Sequence, residues 1–260
     1  MQNTSTIAAL KSNRKISMIT AYDALMAKIF DDIVDIILVG DSLSMSFSGE
    51  KDTLGITLEE MIYHTKAVCK GAKKALVVCD MPFGSYLDEE SALLNAAKVY
   101  KQSGAMAVKI EGGASKAHII RNLTSNSIAV MGHIGLMPQY VRLEGGYKVK
   151  GKDEIEKQKL IEDAKAVEEA GAFALVLEGI RSDVAKEITD SISIPTIGIG
   201  AGKDTDGQVL VWSDMLGFFD EFKPKFVKRY LNGAELVKNA VKEYVEDVRS
   251  GKFPTEEYSY

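Results

Sequence analysis

Short apolar runs alternate with amphipathic segments along the whole chain, a pattern that predicts parallel strands joined by crossover helices. The runs are Ile16–Thr20, Ile36–Val39, Ala75–Asp80, Ala107–Glu111, Ile128–Gly132, Ala174–Glu178, Thr196–Gly200 and Gln208–Val211. They are nearly continuous and rich in β-branched residues, as expected of strands covered on both faces. Helical spacing fills the intervals. Thr57 followed by Glu60 reads as a capping box for a helix running to Lys70. Asp88 caps a helix ending at Ser103 before Gly104, the segment Ile155–Ala170 stops at Gly171, and Ala234–Arg249 is amphipathic. No linker rich in Pro, Gly or Ser interrupts the alternation, so residues 1–260 read as one α/β domain, a TIM (β/α)8 barrel. An open doubly wound sheet is the alternative, but the first strand runs into Ala21-Tyr22-Asp23 instead of a GxGxxG turn. Residues 134–153 carry no clear pattern and read as a long irregular loop, the kind that often serves as a lid.

Composition narrows the function. With 32 Lys+Arg against 37 Asp+Glu the chain is mildly acidic, which argues against a nucleic-acid partner. The apolar runs are of strand length and far too short to cross a bilayer, and the N-terminal residues do not read as a signal peptide, so the expected location is cytoplasmic. Cys69 and Cys79 are too few for a disulfide framework and read as small hydrophobes in a reducing compartment. Three scattered histidines, His64, His118 and His133, exclude an HExxH site.

The chemistry lies at the strand ends. The runs end VGDS (Val39–Ser42), CDMPF (Cys79–Phe83), KIEGG (Lys109–Gly113), GHIGL (Gly132–Leu136) and LVLEG (Leu175–Gly179). In a barrel these ends converge on one mouth, so Asp41, Asp80, Lys109, Glu111, His133 and Glu178 should share a small volume. Charges brought together there need a cation or a substrate to satisfy them. Asp41, Asp80 and Glu111 suit a hard divalent ion such as magnesium, whereas each carboxylate taken singly could equally cap a helix. Lys109 and Glu111, two apart on one strand, face the same way. Lys109 reads as a Schiff-base nucleophile, as a fixed charge for a substrate carboxylate, or as an ion-pair partner of Glu111. Glu178 emerges from an apolar strand and is a candidate general base for a weakly acidic C–H. GIGAG (Gly198–Gly202) could cradle a phosphate or simply allow tight packing.

The motifs TAYD (Thr20–Asp23), LVGDSL (Leu38–Leu43), DMPFGSY (Asp80–Tyr86), VKIEGG (Val108–Gly113), MGHIGLMPQ (Met131–Gln139) and IPTIGIGAG (Ile194–Gly202), in this order, resemble the ketopantoate hydroxymethyltransferase family. The resemblance extends over nearly the whole chain and implies a magnesium-dependent barrel of the phosphoenolpyruvate/pyruvate superfamily. It implies transfer of a hydroxymethyl group from 5,10-methylenetetrahydrofolate to the 2-oxo acid 3-methyl-2-oxobutanoate, giving 2-dehydropantoate in pantothenate biosynthesis through a magnesium-stabilised enolate. By the same resemblance Asp41, Asp80 and Glu111 bind the metal, and Asp41, Ser42, Asp80 and Lys109 contact the ketoacid. Glu178 accepts the proton, and the chain assembles into homo-oligomers, often decamers. The KKCGH-like loop typical of the lyases of that superfamily is absent. A non-catalytic barrel serving as a binding module is the reading from another class.

Overall fold

A computed structural model of the protein describes residues 2–219 and 224–260. Eight parallel strands close into a barrel in chain order. They are β1 Ile16–Thr20, β2 Ile36–Val39, β3 Leu76–Asp80, β4 Ala107–Glu111, β5 Val130–Gly135, β6 Ala174–Glu178, β7 Thr196–Ile199 and β8 Gly207–Leu210. The helices are α1 Thr4–Ala8, α2 Ala24–Phe30, α3 Leu43–Ser46, α4 Leu58–Gly71, α5 Glu89–Ser103, α6 Ala117–Ser125, α7 Val141–Glu144, α8 Glu154–Glu169, α9 Ser182–Ser191, α10 Trp212–Met215 and α11 Gly233–Ser250.

The start signals act as their chemistry requires. Thr57 Oγ1 accepts from the Glu60 N–H at 3.2 Å while Glu60 Oε2 accepts from the Thr57 N–H at 2.8 Å, so two otherwise orphaned donors of α4 are satisfied. Asp88 caps α5 through the Ser91 N–H, and Gly104 ends that helix in the left-handed conformation. Two expectations shift. β5 runs on to Gly135, so His133 lies inside the strand and not just after it. Residues 134–153 are not irregular throughout: a 3-10 turn, Pro138–Tyr140, leads into α7.

The barrel interior changes character along its length. At the N-terminal end the inward positions are apolar: Ile16 and Met18 on β1, Leu76 and Val78 on β3, Ala107 on β4, Met131 on β5, Ala174 and Val176 on β6. Ile7 of α1 is fully buried in the same cluster and plugs that end. Side chains alternate with period two, so the next inward positions are Asp80, Lys109, Glu111, His133 and Glu178. The apolar layers thus form a floor, and the charged residues stand on it toward the C-terminal mouth.

At the N-terminal end Asp35 is anchored by Ser17 and Arg14. It accepts from the Ser17 N–H and Oγ, both at 2.9 Å, and from Arg14 Nη1 at 2.8 Å. Burial alone would raise its pKa, but Arg14 and Ser17 outweigh burial and hold it below 3.8. A depressed carboxylate contributes stability above its unfolded pKa and loses it as pH falls through the folded one. Asp35→Asn is therefore expected to cost about 2–3 kcal/mol at pH 7 by urea denaturation, and progressively less as the pH is lowered from 3.8 through the folded pKa. An equal loss throughout would refute the ionic anchoring.

Both cysteines are free. Burial pushes the Cys79 thiol up to about 12 and the Cys69 thiol up to about 11, so they behave as the small hydrophobes expected. No helix among the described residues is long and apolar enough to cross a membrane.

The chain divides into two compact units, one reaching Val211 and the other Trp212–Tyr260. Within the second, the Trp212 and Phe218 rings pack at 5.3 Å, and the Gly233 N–H donates to the Leu216 carbonyl at 2.8 Å. Its main element, α11, leaves Val237, Val241, Tyr244 and Val248 exposed at helical spacing.

Candidate active site

Strand register brings the predicted residues together. Asp80 on β3 lies opposite Lys109 on β4, and Glu111 on β4 lies opposite His133 on β5. Lys109 Nζ stands 3.2 Å from Asp80 Oδ1 and 3.1 Å from His133 Nδ1. His133 Nδ1 is 3.6 Å from Glu111 Oε1, and its Nε2 is 3.4 Å from Glu178 Oε2. The Asp41 N–H donates to Asp80 Oδ2 at 3.1 Å. Asp41, Asp80, Lys109, Glu111, His133 and Glu178 therefore form one contiguous cluster. Lys109 and Glu111 share a face as expected, but the ion pair of Lys109 is with Asp80.

The approach of β2 to β3 depends on Gly40, where a Cβ would stand 2.8 Å from Ser42 Oγ and 3.5 Å from Asp80 Oδ2. Ser42 Oγ meets the hydroxyl of Tyr22, a fully buried side chain, at 2.9 Å. His64 is occupied structurally, its Nδ1 2.7 Å from the Tyr22 carbonyl. The TAYD segment thus holds the Ser42 hydroxyl through Tyr22.

Charge is concentrated in a dry space. Burial, then repulsion from Asp80 and Glu111, raises Asp41 well above the usual carboxylate range. Burial raises Asp80 as well, with Lys109 opposing. Burial would also raise Glu111, but Lys109 and the Gln139 N–H act to lower it, and a proton on the facing His133 ring would add to that, the balance lying below its ordinary value. Lys109 is 5% exposed, and burial works against its charge. The three carboxylates nevertheless raise it above its ordinary value, so it is a firm ammonium.

Burial and the Lys109 ammonium oppose charge on His133, whereas Glu111 and Glu178 favour it, and the balance lifts the ring to about 9. That lift speaks for protons on both ring nitrogens, whereas the 3.1 Å contact with Lys109 speaks for a bare Nδ1. The contact decides, because two cations at that distance in a dry site repel strongly. The ring proton is accordingly assigned to Nε2, facing Glu178. Glu178 itself is the most accessible carboxylate of the cluster, its side chain 18% exposed.

Sequence reading missed Gln139. Its backbone N–H donates to Glu111 Oε2 at 3.1 Å, and its side-chain Nε2 to Asp41 Oδ2 at 2.9 Å. Only its place in MGHIGLMPQ pointed to it, since an amide carries no charge pattern. The far end of the same loop reaches the other side of the site. The Lys150 N–H donates to the Gly179 carbonyl at 2.8 Å and the Arg181 N–H to the Lys150 carbonyl at 3.1 Å, immediately after Glu178. At GIGAG, packing alone accounts for two glycines: a Cβ on Gly198 would stand 2.7 Å from Thr205 Oγ1, and one on Gly202 2.5 Å from Ser182 Cβ.

A sequence model of ketopantoate hydroxymethyltransferase matches residues 2–256. The chain belongs to the ketopantoate hydroxymethyltransferase family. Proteins named 3-methyl-2-oxobutanoate hydroxymethyltransferase from Aliarcobacter butzleri and Wolinella succinogenes are 64% and 65% identical to it. Those alignments cover 99% and 98% of this chain and 96% and 98% of the relatives. Among solved structures, a phosphonopyruvate hydrolase superposes with a TM-score of 0.64 at 14% identity, covering all of this chain and 92% of that one. A 2,3-dimethylmalate lyase of the PEP mutase/isocitrate lyase superfamily gives 0.63 at 15% identity, covering 100% of this chain and 92% of its own. At such identity the likeness is one of fold.

This hydroxymethyltransferase family is the one whose resemblance implies magnesium. Among the described residues no three His, Cys, Asp or Glu side chains stand together as a ready-made metal cage. The fit is one of donor chemistry and charge. Asp41, Asp80 and Glu111 supply hard oxygens. Among the described residues Asp80 Oδ1 is buried without an aligned hydrogen bond, and the Lys109 ammonium stands 3.2 Å from it.

Proposed function

We propose that the protein transfers a hydroxymethyl group from 5,10-methylenetetrahydrofolate to 3-methyl-2-oxobutanoate, giving 2-dehydropantoate for pantothenate synthesis in the cytoplasm, with magnesium bound by Asp41, Asp80 and Glu111. Family membership over residues 2–256 supports the reaction class. The observation that carries the reading is the charged cluster itself, in which Lys109 sits among three buried carboxylates and His133 connects them to Glu178.

A 2-oxo acid is an anion, and Asp41 and Asp80 would repel it unless a cation stood between them. When bound there, a divalent ion supplies Lewis-acid polarisation of the 2-oxo group. The protein's own groups do the rest. Lys109 adds fixed positive charge for the ketoacid, and Ser42, held by Tyr22, offers a hydroxyl. His133 Nε2 stands 3.4 Å from the Glu178 carboxylate, which removes the C3 proton. Water adds to the folate-bound one-carbon unit and tetrahydrofolate leaves as its C–N bonds break. The C3 carbon bonds to the resulting formaldehyde-level carbon, whose oxygen takes up the proton that Glu178 removed and becomes the hydroxyl of the transferred group. A Schiff-base route through Lys109 is disfavoured, since a nucleophilic amine must be neutral and the carboxylates keep this one charged. The exposed apolar stripe Val237, Val241, Tyr244 and Val248 supports assembly into a homo-oligomer, a decamer by family resemblance.

Removing divalent ions with EDTA is expected to abolish turnover, and adding magnesium to restore it. Full turnover of demonstrably ion-free protein would end the reading. Calorimetry with magnesium and ketoacid, showing binding without turnover on folate, would favour the binding-module alternative.

A further inference from the structure

We propose that Gln139 is the positioning residue of the carboxylate cluster, fixing which oxygen of Asp41 and which of Glu111 is left to face a bound cation. The inference rests on the metal reading above and concerns a residue that touches no reacting atom.

Gln139 is 6% exposed and lies in the turn Pro138–Tyr140 that begins the loop over the mouth. All of its polar side-chain atoms are engaged. Nε2 donates to Asp41 Oδ2 at 2.9 Å and to the Met81 carbonyl at 3.0 Å, and Oε1 accepts from the Tyr86 hydroxyl at 2.5 Å. The orientation of the amide follows from these partners. The Met81 carbonyl can only accept, so the NH2 must face it, and the oxygen is left for the Tyr86 O–H. Tyr86 is itself buried, with Lys116 Nζ over its ring at 5.4 Å.

The backbone N–H of the same residue holds Glu111 Oε2. One residue therefore clamps two carboxylates that come from β2 and β4, elements that are not neighbours in the barrel. Asp41 Oδ2 and Glu111 Oε2 are taken up by Gln139, and Asp80 Oδ2 is taken up by the Asp41 N–H. Each of the three carboxylates thus has one oxygen tied by Gln139 or by a backbone N–H. The second oxygens are Asp41 Oδ1, Asp80 Oδ1, which stands 3.2 Å from the Lys109 ammonium, and Glu111 Oε1, 3.6 Å from His133 Nδ1, so a cation would share the last two with those groups. Outer partners of this kind orient the inner donors, and removing them weakens binding without removing a ligand. Tyr86 acts on the cluster through Gln139, by holding the amide the right way round.

The probe is Mn2+, followed by the loss of its free-ion electron paramagnetic resonance signal on titration with full-length protein, with no substrate present. Wild type is expected to bind. Gln139→Leu, which keeps the backbone N–H, should bind 10–100-fold more weakly while melting as a folded protein. Tyr86→Phe should weaken binding by a smaller factor. The double variant should bind no more weakly than Gln139→Leu alone, because both changes break the same link. Should Gln139→Leu fail to fold, Tyr86→Phe alone decides, and unchanged Mn2+ affinity there overturns the proposal. Wild-type affinity in Gln139→Leu also overturns it while leaving the metal reading intact. Absence of Mn2+ binding by the wild type overturns the metal reading, and this inference with it.

Discussion

Glu178→Gln is expected to bind 3-methyl-2-oxobutanoate about as well as the wild type and to lose exchange of its C3 proton by about 10²–10⁴-fold. The exchange can be followed without folate, as the disappearance of the C3 proton resonance in deuterated water. Glutamine has the shape of glutamate and can keep the contact to His133 Nε2, but its amide cannot take a proton from carbon. The position of Glu178 makes the variant informative. It ends β6, contacts the cluster through one ring nitrogen and keeps 18% of its side chain accessible, so its replacement leaves the Lys109–Asp80 pair undisturbed. Exchange at the wild-type rate would assign the base elsewhere, and a parallel loss of ketoacid binding would make Glu178 a binding residue.

Lys109→Met should be the most damaging change to the fold. The ammonium is the charge that compensates Asp80 at 3.2 Å, and the charges of Glu111 and Asp41 also act on it. Methionine fits the channel but leaves three carboxylates in a dry site with no firm cation beside them. Breaking a buried pair from one side typically costs about 3–5 kcal/mol, which urea denaturation in the presence of EDTA would read. Adding magnesium should return part of that loss if the ion binds among the same carboxylates, since a ligand specific to the folded state stabilises it. A variant within about 1 kcal/mol of the wild type would mean that the carboxylates are neutral in the absence of an ion, and that Lys109 is not what holds them.

Much of the architecture and most of the charged site were legible from the chain itself. Near-continuous apolar strands, Thr57 with Glu60, and Asp88 with Gly104 are local signals whose chemistry acts within a few residues, so their outcome depends little on the rest of the fold. The ionisable residues at successive strand ends needed only one further premise, closure of the sheet, because every parallel strand of a barrel points its C-terminal end to the same mouth. From that premise the meeting of Asp41, Asp80, Lys109, Glu111 and Glu178 follows.

What tertiary structure alone decided are the contacts across that mouth. Lys109 pairs with Asp80 because β3 and β4 pair in a register that sets those two residues side by side, and register is a property of the assembled sheet. His133 lies within β5 and joins Glu111 to Glu178, a role that a single histidine in a sequence cannot announce. Gln139 left no mark in charge or periodicity, since a neutral amide shows its function only when its partners are fixed around it. The chain alone determined which groups would be present and toward which end of the barrel they would point, since both follow from period-two alternation and a common strand direction. Folding determined which atom faces which, because hydrogen bonds and ion pairs depend on differences of about an ångström that arise only when distant segments pack together.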